Sequence, residues 1–401
     1  MAPYESDDSA SAEEAHDLPS KRHRAARYAV PVAVVGVAAA TIGLVPALAD
    51  SGDPDLPKIT AQQLIQKMAT SDVEQLSGTV KVSTDLGLPD LGGLESNLAS
   101  GAAGGAGGSS ADPKAKLTEL VSGTHTLRVA ADGPDRQKLS LVENAAEYSL
   151  IHNGTDVWGY DSRSNEVFHG TAAARDGERH RSEAPATPKD FADEALKSVD
   201  ATTSVTVDGT AHIAGRDAYR LVLKPKQSGT TVGAISVAVD AKTGLPLKFT
   251  LTPASGGAAV LDVGFTQVSF ARPAASAFDF TPPKGAKVTE EEDHGTAGPS
   301  HREGRPEGNA GDLAEGLGGL RVLGKGWNSV ATFDAGGEGG APSASAADGL
   351  LGSLGDPVSG TFGKGTVFST RLVNALVTDD GQVYVGTVTK GTLVKAANAG
   401  R

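Results

Sequence analysis

Between residues 75 and 270, apolar and polar residues alternate in short runs that are separated by turn residues. Alternation with a period of two predicts β-strands with one buried face, and pairs such as Asn153-Gly154 and Asp208-Gly209 are typical of tight turns. The predicted strands are 79–83, 124–129, 138–142, 148–151, 157–160, 166–169, 204–207, 212–214, 218–223, 234–239, 247–251 and 260–270. Most of the connections are too short to hold a crossover helix, so the pattern predicts an antiparallel meander.

Two segments of the same region have a helical period instead. Apolar residues at positions 61, 64, 65 and 68 predict a helix over 59–73, with Thr60 as its N-cap. A second helix is expected over 188–199, with Thr187 as the cap and Pro188 at the first helical position, where proline is favoured. Two helices among many strands predict a mainly β, α+β fold, in which helices form a lid over the open side of an unclosed antiparallel β-barrel.

The N-terminus has the pattern of a membrane segment. Residues 1–27 form a polar tail, expected to be disordered, that ends in the basic cluster Lys21 to Arg27, and residues 28–49 carry no charge. A helix of about 22 apolar residues can cross a ~30 Å hydrocarbon core, and the basic cluster should remain in the cytoplasm. We therefore expect a single-pass protein with its N-terminus inside and residues 50–401 outside. The alternative is a signal peptide cleaved after Ala49, because Ala47-Leu48-Ala49 fits a cleavage pattern, and the chain is then secreted.

Composition shifts divide the rest of the chain. Residues 50–287 are expected to form the main domain, interrupted by a flexible Gly-rich loop at 92–112. Residues 288–316 are strongly acidic and predict a linker. Residues 317–401 predict a small β-rich domain with a hairpin of 366–377 and 382–388 around Asp379-Asp380-Gly381.

Composition also excludes several classes of function. The 401 residues include no cysteine, which excludes disulfides, cysteine nucleophiles and cysteine-ligated metals. The net charge of −13 argues against nucleic acid as a partner.

A search for chemistry finds no catalytic motif. Residues 319–325 imitate the start of a phosphate-binding loop, but Gly326 follows where serine or threonine is needed. The nine histidines have no metal-binding spacing and are best explained as solvated or hydrogen-bonded side chains. We therefore expect no enzyme activity, no catalytic residue, no metal and no cofactor.

The shape predicted for the main domain offers a binding function instead. A strongly curved sheet lined by aliphatic residues can enclose an apolar cavity, which binds acyl chains at roughly 0.8 kcal/mol per buried CH₂. The alternative is that the same residues fill a solid core, and alternation alone does not decide which face of each strand points inward. The candidate lining residues are Val80, Val82, Leu127, Val129, Leu139, Leu141, Leu150 and Trp158.

Five segments of the main domain carry a likeness to a known family: 73–80 (VEQLSGTV), 151–161 (IHNGTDVWGYD), 213–221 (IAGRDAYRL), 237–247 (VAVDAKTGLPL) and 278–286 (FDFTPPKGA). By their order and spacing, the chain from about Ile59 to Val288 resembles the LolA-like family of lipoprotein-carrier and lipoprotein-sorting proteins, in its membrane-proximal actinobacterial type. This resemblance implies an unclosed barrel with a helical lid that binds acyl chains or lipoprotein lipid without catalytic residues. The loop 92–112 and the C-terminal domain lie outside that pattern.

A barrel domain followed by a small β domain is also similar in layout to RseB/MucB-type regulators. That likeness implies sensing of lipids or lipoproteins and control of an anti-sigma factor, although the C-terminal domain has no specific motif. Three hypotheses follow: an extracytoplasmic, membrane-associated carrier of lipid or lipoprotein acyl chains, a regulator that contacts a membrane protein, and a structural surface domain with a filled core.

Overall fold

The computed structural model describes residues 53–87, 109–113, 116, 120, 122–171, 187–290, 321–334 and 355–400. The predicted tail 1–27, the apolar run 28–49 and most of the loop 92–112 and the linker 288–316 lie outside these residues. In the described part of the chain, no helix has the length and apolar content needed to cross a bilayer.

Twelve strands between residues 75 and 290 form one open sheet. They are β1 (Gln75–Thr84), β2 (Gly123–Asp132), β3 (Arg136–Glu143), β4 (Ala146–Asn153), β5 (Asp156–Asp161), β6 (Glu166–Thr171), β7 (Thr203–Ile213), β8 (Arg216–Pro225), β9 (Val232–Asp240), β10 (Pro246–Pro253), β11 (Leu261–Ser269) and β12 (Lys287–Glu290). Their order is β12-β6-β5-β4-β3-β2-β1-β11-β10-β9-β8-β7, with β12 and β7 at the edges. The prediction of a mainly β fold with few helices and an unclosed sheet is confirmed.

Both predicted helices are present with the expected caps. Helix α1 (Ala61–Ala69) begins after Thr60, whose hydroxyl accepts from Gln63 N, and α2 (Pro188–Lys197) begins after Thr187. In each case a side-chain oxygen of the residue three positions after the cap accepts a hydrogen bond from the cap backbone N–H, which completes a capping box. The local sequence therefore determines where both helices begin.

Two features of the sheet differ from the expectation. Segments 204–207 and 212–214 are one strand, β7, because Asp208-Gly209 forms a bulge at a register shift between Val207 and Thr210. Gly209 has a φ of +77°, and Arg220 Nε donates to the Asp208 carbonyl oxygen at 2.7 Å, so the one extra residue of β7 is accommodated within the ladder. The meander also ends in a parallel pair, since β12 pairs with β6, and the predicted boundary between residues 287 and 288 falls within this strand.

The C-terminal residues form a second, six-stranded sheet in the order β13-β14-β18-β17-β16-β15. Its elements are β13 (Arg321–Leu323), β14 (Val330–Asp334), β15 (Asp356–Gly360), β16 (Gly363–Ser369), β17 (Asn374–Thr378), β18 (Gln382–Gly386) and the helix α3 (Lys390–Ala399). The buried residues Leu376, Tyr384 and Leu393 belong to a core that α3 shares with this sheet.

The predicted hairpin in this sheet is correct at its turn and wrong in its first strand. The turn at Asp379-Asp380-Gly381 joins β17 to β18. The run 366–377 is two strands, because the Thr370 hydroxyl accepts from the backbone N–H groups of Leu372 and Val373 and turns the chain. Helix α3 was not predicted, since its apolar positions are few and it contains Gly391.

The two sheets are joined by hydrogen bonds within one compact unit, Pro54–Arg401. Trp327 Nε1 donates to Thr203 Oγ1 at 2.9 Å, and Thr389 N donates to the Gly229 carbonyl oxygen at 2.8 Å. Arg371 reaches from the turn between β16 and β17 to the Asp85 carboxylate at the end of β1. The second sheet therefore attaches through the loops at one of its ends.

Candidate apolar binding site

Seven of the eight predicted lining residues lie on one face of the sheet. Two rows of directly opposed residues cross β1 to β4, and such neighbours share a face. The rows are Val80–Leu127–Leu141 and Val129–Leu139–Leu150, and Val82 lies two residues along β1 from Val80. Six of the seven are buried members of one apolar cluster, and the seventh, Leu139, is partly buried and packs against it.

Trp158 lies on the opposite face, so the structure does not place it in the cavity. It is opposed to Ile151, one residue from Leu150. Its ring stacks on the His169 ring with centroids 3.8 Å apart, and Phe280 packs at 5.5 Å. The tight turn after Asn153 determines this register and was the sequence signal that could have corrected the assignment.

The cavity lies between this sheet face and a segment that we call the covering segment, which comprises the described residues 109–113, 116 and 120. The lining residues are Pro113, Lys116 and Leu120 of the covering segment and Leu127, Leu139, Leu141, Tyr148 and Leu150 of the sheet. Of the predicted lining residues, Val80, Val82 and Val129 share this sheet face and pack in its cluster but do not line the cavity. The cavity volume is about 10 Å³, roughly what one water molecule requires. An acyl chain therefore enters only if the covering segment moves.

The predicted lid helices lie elsewhere. Helices α1 and α2 pack on strands β7 to β11, where Leu64, Met68, Ala192 and Ala195 form a second cluster with residues of β8, β9 and β10. Among the residues of these two helices, only Phe191 in α2 packs against both this second cluster and the cluster that contains the predicted lining residues. The element that covers the candidate site is therefore the covering segment, which falls partly in the stretch predicted to be a flexible loop.

Polar contacts hold the covering segment at the edge of the apolar face. Lys116 Nζ lies 2.9 Å from Glu143 Oε1 and 3.3 Å from Asp161 Oδ2. The side chains of these three residues are 11%, 16% and 7% exposed, so the ion pairs are largely shielded from water. At the other end of the segment, the Thr84 hydroxyl donates to the Leu120 carbonyl oxygen at 3.3 Å.

Glu166 holds the start of the covering segment. Its Oε2 accepts from Ser110 N at 2.9 Å, from Ser110 Oγ at 2.9 Å and from Ser109 Oγ at 3.1 Å. Its Oε1 accepts from Lys287 Nζ at 3.1 Å. The hydrogen bond from Lys287, followed by those from Ser110 and Ser109, lowers the pKa of Glu166 to about 2. The carboxylate is thus ionised at any physiological pH.

A glycine in β5 makes room for the covering segment. A Cβ atom at Gly159 would collide with the Ala111 carbonyl oxygen and would lie 2.9 Å from the Tyr148 hydroxyl. The Tyr148 hydroxyl donates to that same carbonyl at 3.1 Å. Glycine inside a strand often marks the close approach of another backbone, and Ala111 is fully buried here.

The residues that anchor the covering segment were missed in the sequence. Glu143 is the last residue of β3, Asp161 is the last residue of β5, and Glu166 is the first residue of β6. In an antiparallel meander these three positions lie at the same end of the sheet. That shared end was a usable signal for a cluster of carboxylates. Lys116 carries no local pattern that could have identified it as their partner.

The site combines a small apolar lining with charged side chains at its edge. Among the described residues, no three histidine, aspartate or glutamate side chains are grouped so that they could hold a metal ion.

No protein-family model matches the chain, and no curated protein sequence matches it. Among solved structures, it is similar to a chain of the Pseudomonas aeruginosa MucA/MucB complex, with 17% identity over 84% of this chain and 96% of that chain and a TM-score of 0.39. It is also similar to a LolA superfamily protein from Nitrosomonas europaea (12% identity, 56% of this chain, 99% of that chain, TM-score 0.22). A third similar structure is a putative outer membrane lipoprotein-sorting protein domain from Vibrio parahaemolyticus (12% identity, 52% of this chain, 91% of that chain, TM-score 0.20).

Proposed function

We propose that this protein is an extracytoplasmic, membrane-associated protein that binds acyl chains of lipids or lipoproteins between the covering segment and strands β1 to β4. The observation that carries the proposal is the contrast in how the segment is held. The covering segment lies over aliphatic side chains from β2, β3 and β4. Its ion pairs and serine hydrogen bonds are made instead with Glu143, Asp161 and Glu166 at one end of the sheet. Such a segment can separate from the sheet without unfolding it.

Opening would expose Leu127, Leu139, Leu141 and Leu150 as one apolar surface. An acyl chain placed on this surface contributes about 0.8 kcal/mol for each CH₂ that it buries. That gain is offset by the loss of the segment's contacts and by the entropy of binding. The covering segment therefore acts as a competitor for the site, and only a ligand with a long apolar part displaces it.

The proposed location rests on the N-terminal sequence. The uncharged run 28–49 after a basic cluster supports a membrane anchor, with residues 50–401 outside the cytoplasm. Cleavage after Ala49 would instead release a secreted form. Either way the binding domain lies where exported lipids and lipoproteins are found.

The test is native mass spectrometry of the full chain, purified from a lipid-containing host, followed by organic extraction of bound material. We expect an acylated ligand on the wild-type protein and its loss in Leu139→Asp, which places a charge in the lining. Gln137→Asp is the matched control, because Gln137 lies two residues away on the same strand and is exposed. A wild-type protein without bound lipid that also takes up no added lipid would contradict the proposal.

A second candidate function, regulation through contact with a membrane protein, is favoured by the outer face of the second sheet. A row of apolar residues crosses this face: Ala331 is opposite Val385, Val385 is opposite Ala375, and Ala375 is opposite Phe368. Of the three large apolar side chains that are exposed in the described residues, Val322 (66%) and Val377 (37%) lie on this sheet. A photo-crosslinking residue at Val377 should capture a membrane protein in cells, whereas one at exposed Thr266 in the first sheet should not.

A further inference from the structure

The charged groups around the covering segment restrict the kind of ligand that can replace it, and this inference rests on the proposed function. The sheet contributes three carboxylates to the contact: Glu143, Asp161 and Glu166. Among the described residues of the covering segment, the side chains of Lys116, Ser109 and Ser110 donate hydrogen bonds to them. At these positions the sheet therefore offers hydrogen-bond acceptors, and a group that replaces the covering segment must supply hydrogen-bond donors.

Lys116 is the cation that Glu143 and Asp161 share. Among the described residues, two other cations pair with the three carboxylates: Arg163 with Glu143 (2.7 Å) and Lys287 with Glu166 (3.1 Å), whose side chains are 63% and 73% exposed. Departure of Lys116 would therefore remove the shielded cation beside Glu143 and the cation paired with Asp161. Carboxylates with little exposure to water are costly to leave without a counter-charge.

Two oxygen atoms define the position that Lys116 Nζ would leave. When the covering segment leaves, Arg163 still donates a hydrogen bond to Glu143 Oε2. The backbone N–H groups of Arg163 and Ser164 still donate to Asp161 Oδ1. Glu143 Oε1 and Asp161 Oδ2 are the atoms that lose Lys116 Nζ when the segment leaves. They lie beside the apolar lining, because Lys116 itself lines the cavity.

We propose that the ligand is an amphiphile whose polar end is a primary ammonium group, which takes the place of Lys116 Nζ between Glu143 Oε1 and Asp161 Oδ2. Its alkyl chain lies along Leu127, Leu139, Leu141 and Leu150. An ammonium group supplies three donors in the geometry that a lysine side chain uses. A carboxylate or phosphate end would face the three carboxylates of the rim instead, and like charges at this distance repel.

Displacement of a fluorescent apolar dye from the full chain tests the proposal, with dodecylammonium, dodecanoate and dodecanol as competitors. The three share one alkyl chain and differ in charge. We expect dodecylammonium to bind at least ~10-fold more tightly than dodecanoate, which is about 1.4 kcal/mol. A dodecanoate affinity equal to or above that of dodecylammonium would overturn the ammonium proposal.

Two variants assign the preference to the named oxygens. Glu143→Gln and Asp161→Asn keep an oxygen acceptor and the side-chain shape while removing the charge, so both should bring the affinities for the charged competitors together and leave that for dodecanol unchanged. Asp156→Asn is the control, because Asp156 begins the same strand as Asp161 and is half-exposed. A preference that survives in both variants would refute the assignment to these carboxylates. If no competitor displaces the dye, dodecanol included, the proposed apolar site itself is wrong.

Discussion

The carbonyl oxygen of Ala111 occupies the space that a side chain on Gly159 would need. The contact joins the covering segment to the middle of β5, and the Tyr148 hydroxyl donates to the same oxygen at 3.1 Å. A single strand glycine therefore decides whether the covering segment can close.

Gly159→Ala should displace the covering segment while leaving the sheet intact. An added methyl group in a packed site costs about 1–3 kcal/mol, and here the strain can be relieved if Ala111 moves away. We expect hydrogen exchange at the Ala111 and Lys116 amides to rise about 10-fold, which corresponds to about 1.4 kcal/mol. Binding of an apolar dye should rise with it.

Gly391→Ala is the control for this variant. Gly391 lies in α3 with open space around its Cα, so an added methyl group meets nothing and should stabilise the helix by up to about 1 kcal/mol. If Gly159→Ala leaves exchange in the covering segment unchanged, then the segment is not seated as described.

Asp240 should make the stability of the main domain sensitive to acid. Its side chain is 1% exposed and is paired with Arg216. Burial alone would raise the pKa of Asp240, but hydrogen bonds from Arg216 and Thr243 outweigh it and hold the pKa below its ordinary value of 3.8. Because the folded state has the lower pKa, this contribution is present above pH 3.8 and is lost as the pH falls through the lower, folded-state value.

The measurement is urea unfolding of wild type and Asp240→Asn from neutral to acid pH. We expect the variant to lose about 1.5–3 kcal/mol at neutral pH and to show a smaller loss of stability below pH 3.8 than the wild type. Asp262→Asn is the control, since the Lys248–Asp262 pair is about one-third exposed and contributes at most about 1 kcal/mol. An acid profile that is unchanged by Asp240→Asn would contradict this assignment.

His169 should make the attachment of β12 depend on pH. Its Nδ1 lies 2.6 Å from Glu290 Oε2 and its Nε2 lies 3.2 Å from Asp156 Oδ1, and only the imidazolium can donate to both. Burial of the ring lowers its pKa, but the contacts with Asp156 and Glu290 have the larger combined effect and raise the pKa above 6.5. The stabilisation is therefore complete below pH 6.5 and is lost as the pH rises through the folded-state pKa.

Trp158 reports this titration, because its ring stacks on His169. In a Trp327→Phe background, the emission of Trp158 should change with an apparent pKa above 6.5. Glu290→Gln should lower that pKa, and His169→Phe should remove the transition. An unshifted pKa in Glu290→Gln would show that the strand contact does not govern the ring.

Arg371 should couple the two sheets. Its guanidinium bonds to the Asp85 carboxylate and to the carbonyl oxygens of Asp85 and Ala258, and its side chain is 24% exposed. Arg371→Ala should destabilise the protein by about 1–3 kcal/mol and separate the unfolding of the two sheets into two calorimetric transitions. Lys390→Ala removes an exposed ion pair with Asp356 and should cost at most about 1 kcal/mol. A single transition in Arg371→Ala would mean that the other contacts suffice.

The candidate site was predictable in its apolar part and not in its polar part. Leu127, Leu139 and Leu141 are identified by alternation, and their common face follows once the strands pair in sequence order. Trp158 was misplaced by one step of register, which moves a side chain to the other face of the sheet. Lys116 meets Glu143 and Asp161 only because the chain returns over the sheet between β1 and β2.

The amino-acid sequence by itself determined the elements whose signals are local: the caps Thr60 and Thr187, the alternation of the strands and the turns between them. The tertiary structure alone decided which segment covers the apolar face, that β12 pairs with β6 in parallel and that Arg371 joins the two sheets. The physical reason is the range of the interactions. Caps, turns and alternation depend on residues a few positions apart, whereas these contacts form between residues far apart in the chain and exist only when the whole sheet is assembled.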